Sequence, residues 1–251
     1  MVTVRDIQAK SVLNRSKIFD TCLNPYTGCQ VGCVYCYARL FVGRYTGHRE
    51  PWGRFVDVKA NAPEVLGRQL QKAAKTTVWI SSVCDPYQPI EARRRITRAC
   101  LEKLAEKQFP VNVQTKSHLV LRDLELLRQF RTIEVGLSIT TDDERIARVF
   151  EPAASSVGRR LEALAKLRAA GIRTYAFVGP ILPGNPERLA HSLQARVDRV
   201  LVDRMNYLGS IRRFYQNLGL REATTDAFFR GYAERFASEL ERRKIRYEIL
   251  F

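Results

Sequence analysis

The run Asn24-Pro-Tyr-Thr-Gly-Cys29-Gln-Val-Gly-Cys33-Val-Tyr-Cys36-Tyr37 constrains this chain more than any other feature, because it sets three thiols at Cys-x3-Cys-x2-Cys spacing directly after an expected first strand. A loop is required there, and Gly28 and Gly32 give it the freedom to bend. Cube-type iron-sulfur clusters are held by thiolates, and a short glycine-containing loop can fold three sulfurs around one face of such a cluster. Three nearby cysteines leave the fourth iron to a ligand from outside the protein. The alternative is a structural zinc site that recruits Cys22 as a fourth sulfur. Zinc ribbons show paired Cys-x2-Cys hairpins, whereas this chain has one such pair.

The chain has 251 residues and is 45% hydrophobic, enough for one full-sized α/β domain. No apolar run reaches membrane-spanning length, and the N-terminus has no signal-peptide pattern, so a cytosolic protein is expected. In that compartment the six cysteines point to metal or redox chemistry rather than to disulfides. The formal charge of +16 suits a polyanion such as nucleic acid, though it is spread along the chain and also fits a solvated basic surface.

Short β-branched or apolar runs over 18–22, 77–83, 111–115, 133–139, 172–178 and 197–202 read as six strands. Helical spacing falls between most of them: Ile96, Cys100 and Leu104, then Val120, Leu124 and Leu127, then Val157, Leu161, Leu164 and Leu167. This alternation implies an α/β fold with a mainly parallel sheet and right-handed crossovers, open or curled into a barrel. Gly171 suits a helix C-terminus, and Pro186 with Glu187 suits a first turn. Phe228, Tyr232, Phe236 and Leu240 recur every four residues and predict a final amphipathic helix. The stretch from Gly43 to Gly53 reads as a surface loop.

With the aromatic residue before its last cysteine, Val34-Tyr35-Cys36, the triplet resembles the signature of the radical S-adenosylmethionine superfamily. Asn24 to Arg39, Trp52 to Lys59, Ser81 to Glu91, Thr115-Lys-Ser, Leu121 to Leu127, Val135 to Ile139 and Glu151-Pro are similar to its spore photoproduct lyase-like branch, often described as DNA repair photolyase-like. The match runs in order from about Lys10 to about Pro186. It implies a single domain spanning 1–251, with a partial (β/α)6 TIM-like barrel over about 15–205 and a C-terminal extension over about 206–251 that carries the amphipathic helix. It also implies two cofactors, a [4Fe-4S] cluster on Cys29, Cys33 and Cys36, and S-adenosylmethionine chelating the open iron. One electron, from a donor such as flavodoxin or ferredoxin, would split S-adenosylmethionine to methionine and a 5′-deoxyadenosyl radical that abstracts a substrate hydrogen. In such barrels the active residues lie at the C-terminal ends of the strands.

The expected strand ends carry polar side chains. By resemblance, Lys116 would contact the methionyl carboxylate, while Ser82, Asp85 and Ser138 would help hold the methionyl end. Tyr35 would meet the adenine by ring or backbone, and Tyr37 would line the substrate side. Cys84 is the candidate hydrogen-atom donor, although its register is displaced from the cysteine that spore photoproduct lyase uses. The plainer alternatives are a surface lysine, satisfied serines, loop-anchoring aromatics and a small buried thiol.

Glu151 and Arg159 bracket a helix start and either reach a ribose or sulfonium or cap the helix. His48, among Arg44, Tyr45, Arg49 and Trp52, suggests a surface that stacks on and neutralises nucleic acid, or is incidental. Arg93 to Arg95 suggest a phosphate contact at a helix start. Three functions follow: a radical enzyme acting on nucleic acid or a nucleotide, a radical enzyme acting on a peptide or small molecule, or a non-catalytic metal-cluster module that binds nucleic acid.

Overall fold

In the computed structural model, which describes residues 1–15 and 19–251, six parallel strands lie in sequence order across one curved sheet. They are β1 (Thr21–Leu23), β2 (Val78–Ile80), β3 (Val111–Thr115), β4 (Ile133–Ser138), β5 (Arg173–Val178) and β6 (Arg199–Val202). A seventh, β7 (Arg246–Ile249), pairs in parallel with β6, and Leu13–Arg15 pairs antiparallel with β1. The parallel order follows from the crossovers, which return each strand beside its predecessor with the same hand. This is the partial (β/α)6 barrel the sequence implies. The expected first strand begins at Ile18, outside the described residues, and β1 is seen from Thr21.

The helices cover the outer face. They include α1 (Ala62–Leu70), α2 (Ile96–Lys107), α3 (Val157–Ala169), α4 (Pro186–Leu193) and α5 (Asp226–Arg242). In α3 the buried positions Val157, Arg160, Ala163, Leu164 and Leu167 form one stripe, Ser156 caps the start, and Gly171 follows the end with φ +81°. The C-terminal helix α5 buries Phe229, Tyr232, Ala233, Phe236 and Leu240. Phe228, expected on that face, is only half-buried. Among the described residues no helix is long and apolar enough to cross a membrane.

Two features escaped the sequence reading. A small second sheet pairs Phe55–Lys59 with Thr3–Ile7 in parallel and with Tyr26–Thr27 antiparallel, so it anchors the entry to the cysteine loop. The expected surface loop over 43–53 opens with a short helix, Val42–Thr46, which ends at Gly47 in the left-handed conformation.

The lower barrel is plugged by polar groups that satisfy one another. Arg199 pairs in two places with Glu134, at 2.8 and 2.6 Å, and the Tyr175 hydroxyl donates to Asn112 Oδ1 at 2.9 Å. Gly136 lets the Tyr175 ring cross the lumen, since a Cβ there would stand 2.1 Å from the ring's Cζ. An open volume lies at the opposite, C-terminal ends of the strands.

Candidate active site

That volume is a cavity of about 660 Å3 to which all six barrel strands contribute, from their C-terminal ends or the segments that follow. The sequence-expected residues Cys29, Cys33, Cys36, Tyr35, Tyr37, Ser82, Cys84, Asp85, Lys116 and Ser138 all line it.

The cysteine loop is held by its neighbours. Gln88 Oε1 accepts the Gln30 N–H at 2.8 Å, and Gln30 Oε1 accepts the Ile90 N–H at 2.6 Å, which locks the loop to the segment after β2. Val34 N–H donates to Phe150 O at 3.0 Å, and Ala153 N–H donates to Val31 O at 3.2 Å. At Gly28, φ is +83° and a Cβ would meet Phe55 O at 2.5 Å, so glycine is required there. The Asp85 N–H donates to Cys29 Sγ at 3.3 Å. Burial pushes all three thiols up, so loading a metal cluster on them must release protons.

The donor set fits a sulfur-rich cluster. Three thiols line one cavity, one already accepts a backbone N–H, and the Trp52 indole Nε1 beside them is buried with no acceptor among the described residues. An unpaired N–H at that place suits sulfur atoms that accept hydrogen bonds. Cys22, the fourth sulfur of the zinc alternative, is buried in β1 and does not line the cavity. Among the described residues no three His, Cys, Asp or Glu side chains gather closely enough to share one metal ion.

Behind the cysteines lies a buried polar knot. Glu151 accepts from Arg160 at 2.7 Å and from Thr140 at 3.0 Å, and the Tyr35 hydroxyl also donates to it. Arg160 further donates to Ser138 O at 2.8 Å. The expected reach of Glu151 and Arg159 toward a ribose or sulfonium is therefore corrected: Glu151 is inside the protein, its cationic partner is Arg160, and Arg159 lies on the exposed face of α3. Tyr35 is anchored by its hydroxyl, leaving its ring on the cavity wall with Lys116 Nζ 5.7 Å from the centroid.

Lys116 has no acceptor for its ammonium among the described residues. Burial pulls it down, but Cys33, Glu151 and Asp85 outweigh that and hold it above the ordinary lysine value, so it is a charged group facing the cavity. The Asp85 carboxylate accepts Tyr87 N–H at 2.8 Å, Thr115 Oγ1–H at 2.5 Å and Lys116 N–H at 2.7 Å. Those bonds tie the end of β2 to the end of β3 and leave Asp85 one free side, on Oδ2.

Asn24, which the sequence reading passed over, accepts the Ser82 and Val83 N–H groups at 2.9 and 3.2 Å and donates to Ser82 Oγ at 3.3 Å. The Tyr37 hydroxyl donates to Ser82 O. Ser138 Oγ accepts from Gln114 at 3.5 Å. Cys84 Sγ lies 3.5 Å from both Tyr26 O and Ser81 Oγ, and burial raises its thiol to about 11.

His48 and the helix start after Arg93 to Arg95 are both occupied by protein groups. The His48 ring is buried, with Nε2 2.9 Å from Asp57 and Nδ1 3.1 Å from Glu50, and it stacks on Phe55 at 4.1 Å. It cannot stack on a ligand. Arg93 to Arg95 do not present an open helix start either. Arg94 pairs with Asp6, and the first N–H groups of α2 are taken by Glu91, which accepts from Thr97 at 3.0 Å and Arg98 at 3.2 Å.

Comparison with known proteins accords with this geometry. Residues 23–216 match the family model of the radical SAM superfamily. The chain is 38% identical over 184 residues to an uncharacterized protein of Methanocaldococcus jannaschii, covering 72% of this chain and 69% of that one. An uncharacterized protein of Mycobacterium tuberculosis is 30% identical over 195 residues, with 72% of this chain and 57% of that one covered. A radical SAM Nalpha-GlyT isomerase of Pseudomonas phage M6 is 28% identical over 162 residues, or 64% of this chain and 33% of the phage enzyme. The fold is that of spore photoproduct lyase, whose complex with a dinucleoside spore photoproduct superposes with a TM-score of 0.71 at 16% identity, covering 99% of this chain and 82% of the lyase. With the cysteine loop at the strand ends and the family model matched across most of its length, the chain belongs to the radical SAM superfamily, whose enzymes use a [4Fe-4S] cluster and S-adenosylmethionine.

Proposed function

We propose that Cys29, Cys33 and Cys36 hold a [4Fe-4S] cluster in this cavity and that the reaction run there takes a hydrogen atom from a nucleic-acid or nucleotide substrate. When bound, the cluster and S-adenosylmethionine supply the 5′-deoxyadenosyl radical. One observation carries the reading: a single cavity is lined by the three cysteines, by Lys116, whose ammonium has no acceptor among the described residues, and by the aromatic rings of Trp79, Phe177 and Tyr207.

The chain's own residues position and shield the reactants. Lys116 meets the methionyl carboxylate as a charge-assisted donor. Ser82, Ser138 and the free side of Asp85 face the methionyl ammonium, and the Tyr35 ring, pinned by Glu151, gives the adenine a fixed wall. Tyr37 lines the substrate side. Cys84 keeps its S–H at neutral pH because its thiol is raised to about 11, and it lines the cavity, so it is the candidate donor of a hydrogen atom to a product radical. The aromatic residues of the lining suit a flat substrate ring, and the charge of +16 favours a phosphate-bearing one.

The test is anaerobic reconstitution followed by dithionite and S-adenosylmethionine, with 5′-deoxyadenosine and methionine as the readout. Cleavage that is lost when Cys29, Cys33 or Cys36 becomes Ala supports the reading. A fully loaded cluster that yields no 5′-deoxyadenosine with or without oligonucleotides would sink it. Stimulation by peptides and not by oligonucleotides would move the substrate to the peptide class.

A further inference from the structure

Four aromatic rings run in file out of the cavity. Tyr207 and Tyr37 are near-parallel, with centroids 6.5 Å apart and 22° between planes. Phe41 follows at 5.9 Å from Tyr37, and Tyr45 at 6.2 Å from Phe41. The local sequence builds the file: Tyr37, Phe41 and Tyr45 recur every four residues through the turn Tyr37–Leu40 and the helix Val42–Thr46, so they share one face.

Core packing does not account for its two ends, since Tyr45 is 81% exposed and Tyr207 is 59% exposed. Tyr207 also holds φ +60°, a left-handed conformation that is rare for a bulky side chain and clusters at ligand-binding segments. Arg39 donates to Ser210 O at 2.8 Å, which fastens the turn carrying Tyr37 to the segment carrying Tyr207.

Positive charge flanks the file. Arg204, which also pairs with Asp226 at 3.4 Å, lines the cavity close to Tyr207 in sequence. Arg44 is exposed on the same short helix as Tyr45 and has no acidic partner among the described residues. Rings in series that are exposed at both ends and flanked by cationic side chains are what an unpaired strand needs, because every base has a π face and every linkage an anionic phosphate. A duplex keeps its bases stacked on one another and cannot offer those faces.

We propose that Tyr207, Tyr37, Phe41 and Tyr45 form a stacking track for a single-stranded nucleic acid, holding the bases that neighbour the one entering the cavity. This rests on the nucleic-acid reading given above and names the form of the substrate and the surface that takes it.

The test uses cluster-loaded protein and a fluorescein-labelled oligothymidylate, with an abasic strand of the same length and charge as its control, read by anisotropy at fixed salt. Wild type should bind the base-bearing strand roughly 5- to 100-fold more tightly than the abasic one. Tyr45→Ala should lose about 5-fold or more of that preference, Tyr45→Trp should keep it, and Tyr207→Ala should lower it as well. Cleavage of S-adenosylmethionine without substrate should be unchanged in Tyr45→Ala, which shows that the variant is folded and loaded. Equal binding of the two strands by wild type, or an undiminished preference in both alanine variants, overturns the track and leaves the nucleic-acid reading standing. Failure of wild type to bind either strand overturns both.

Discussion

Glu151 and Arg160 form an ion pair at 2.7 Å with both side chains fully buried, directly behind the tyrosine that lies between the second and third cluster-loop cysteines. Removing one partner leaves the other charge buried and unmatched, so Glu151→Gln should cost about 3–5 kcal/mol of stability. Urea unfolding of the purified variant checks this, and a loss below about 1 kcal/mol would show that the pair is relaxed by water.

The same pair makes stability depend on pH. Burial pushes the Glu151 carboxyl up, but Arg160, Lys116 and the hydrogen bonds from Tyr35 and Arg160 outweigh it and hold it below the ordinary value. A depressed carboxylate pKa means that the unfolded chain binds the proton more readily. The stabilisation is therefore complete above the unfolded value of about 4.3 and is lost as pH falls through the folded one. Between pH 6 and 3 the urea midpoint should fall further in wild type than in Glu151→Gln. Parallel falls would remove Glu151 as the source.

Lys116 is expected to govern S-adenosylmethionine affinity more than folding, since its ammonium has no acceptor among the described residues. Losing a charge-assisted hydrogen bond in Lys116→Met should weaken binding to the reconstituted protein about 10- to 100-fold. Equilibrium dialysis measures it, and unchanged affinity would return Lys116 to a purely structural role.

The unpaired Trp52 indole predicts a spectroscopic effect. If its N–H reaches cluster sulfur, Trp52→Phe should make the cluster's reduction potential more negative, because hydrogen bonds to sulfur stabilise the reduced form. Potentiometric titration followed by electron paramagnetic resonance reads this directly. An unaltered potential with full iron loading would show that the indole only packs.

Gly136 should not accept a methyl group. A Cβ there would overlap the Tyr175 ring, so Gly136→Ala should cost about 1–3 kcal/mol, and pairing it with Tyr175→Leu should recover part of the loss. Thermal unfolding of the single and double variants is the check.

The barrel was legible because its determinants are local. The runs at 111–115 and 133–139 are apolar stretches bounded by turns and separated by helical spacing, and they became β3 and β4. The three strands of the small sheet were not legible, because Phe55–Lys59 finds its partners about 30 and 50 residues away, and pairing at such range leaves no periodic trace. The burial of His48 was illegible for a similar reason. Its cationic neighbours suggest a surface, while Asp57 and Phe55, which bury it, come from a strand that the local pattern does not announce.

Glu151 and Asp85 show the same limit within the site. Both are carboxylates beside the expected cofactor, yet one is neutralised by Arg160 from a helix face and the other is tied to the end of β3 by two hydrogen bonds. By itself the sequence determined the cysteine loop, the alternating parallel fold and the polar strand ends that line the cavity, because spacing and periodicity act between near neighbours. Only the tertiary structure decided which polar groups remain unpaired to face a ligand and that Tyr207 joins the file begun by Tyr37, because both depend on contacts between segments that only folding brings together.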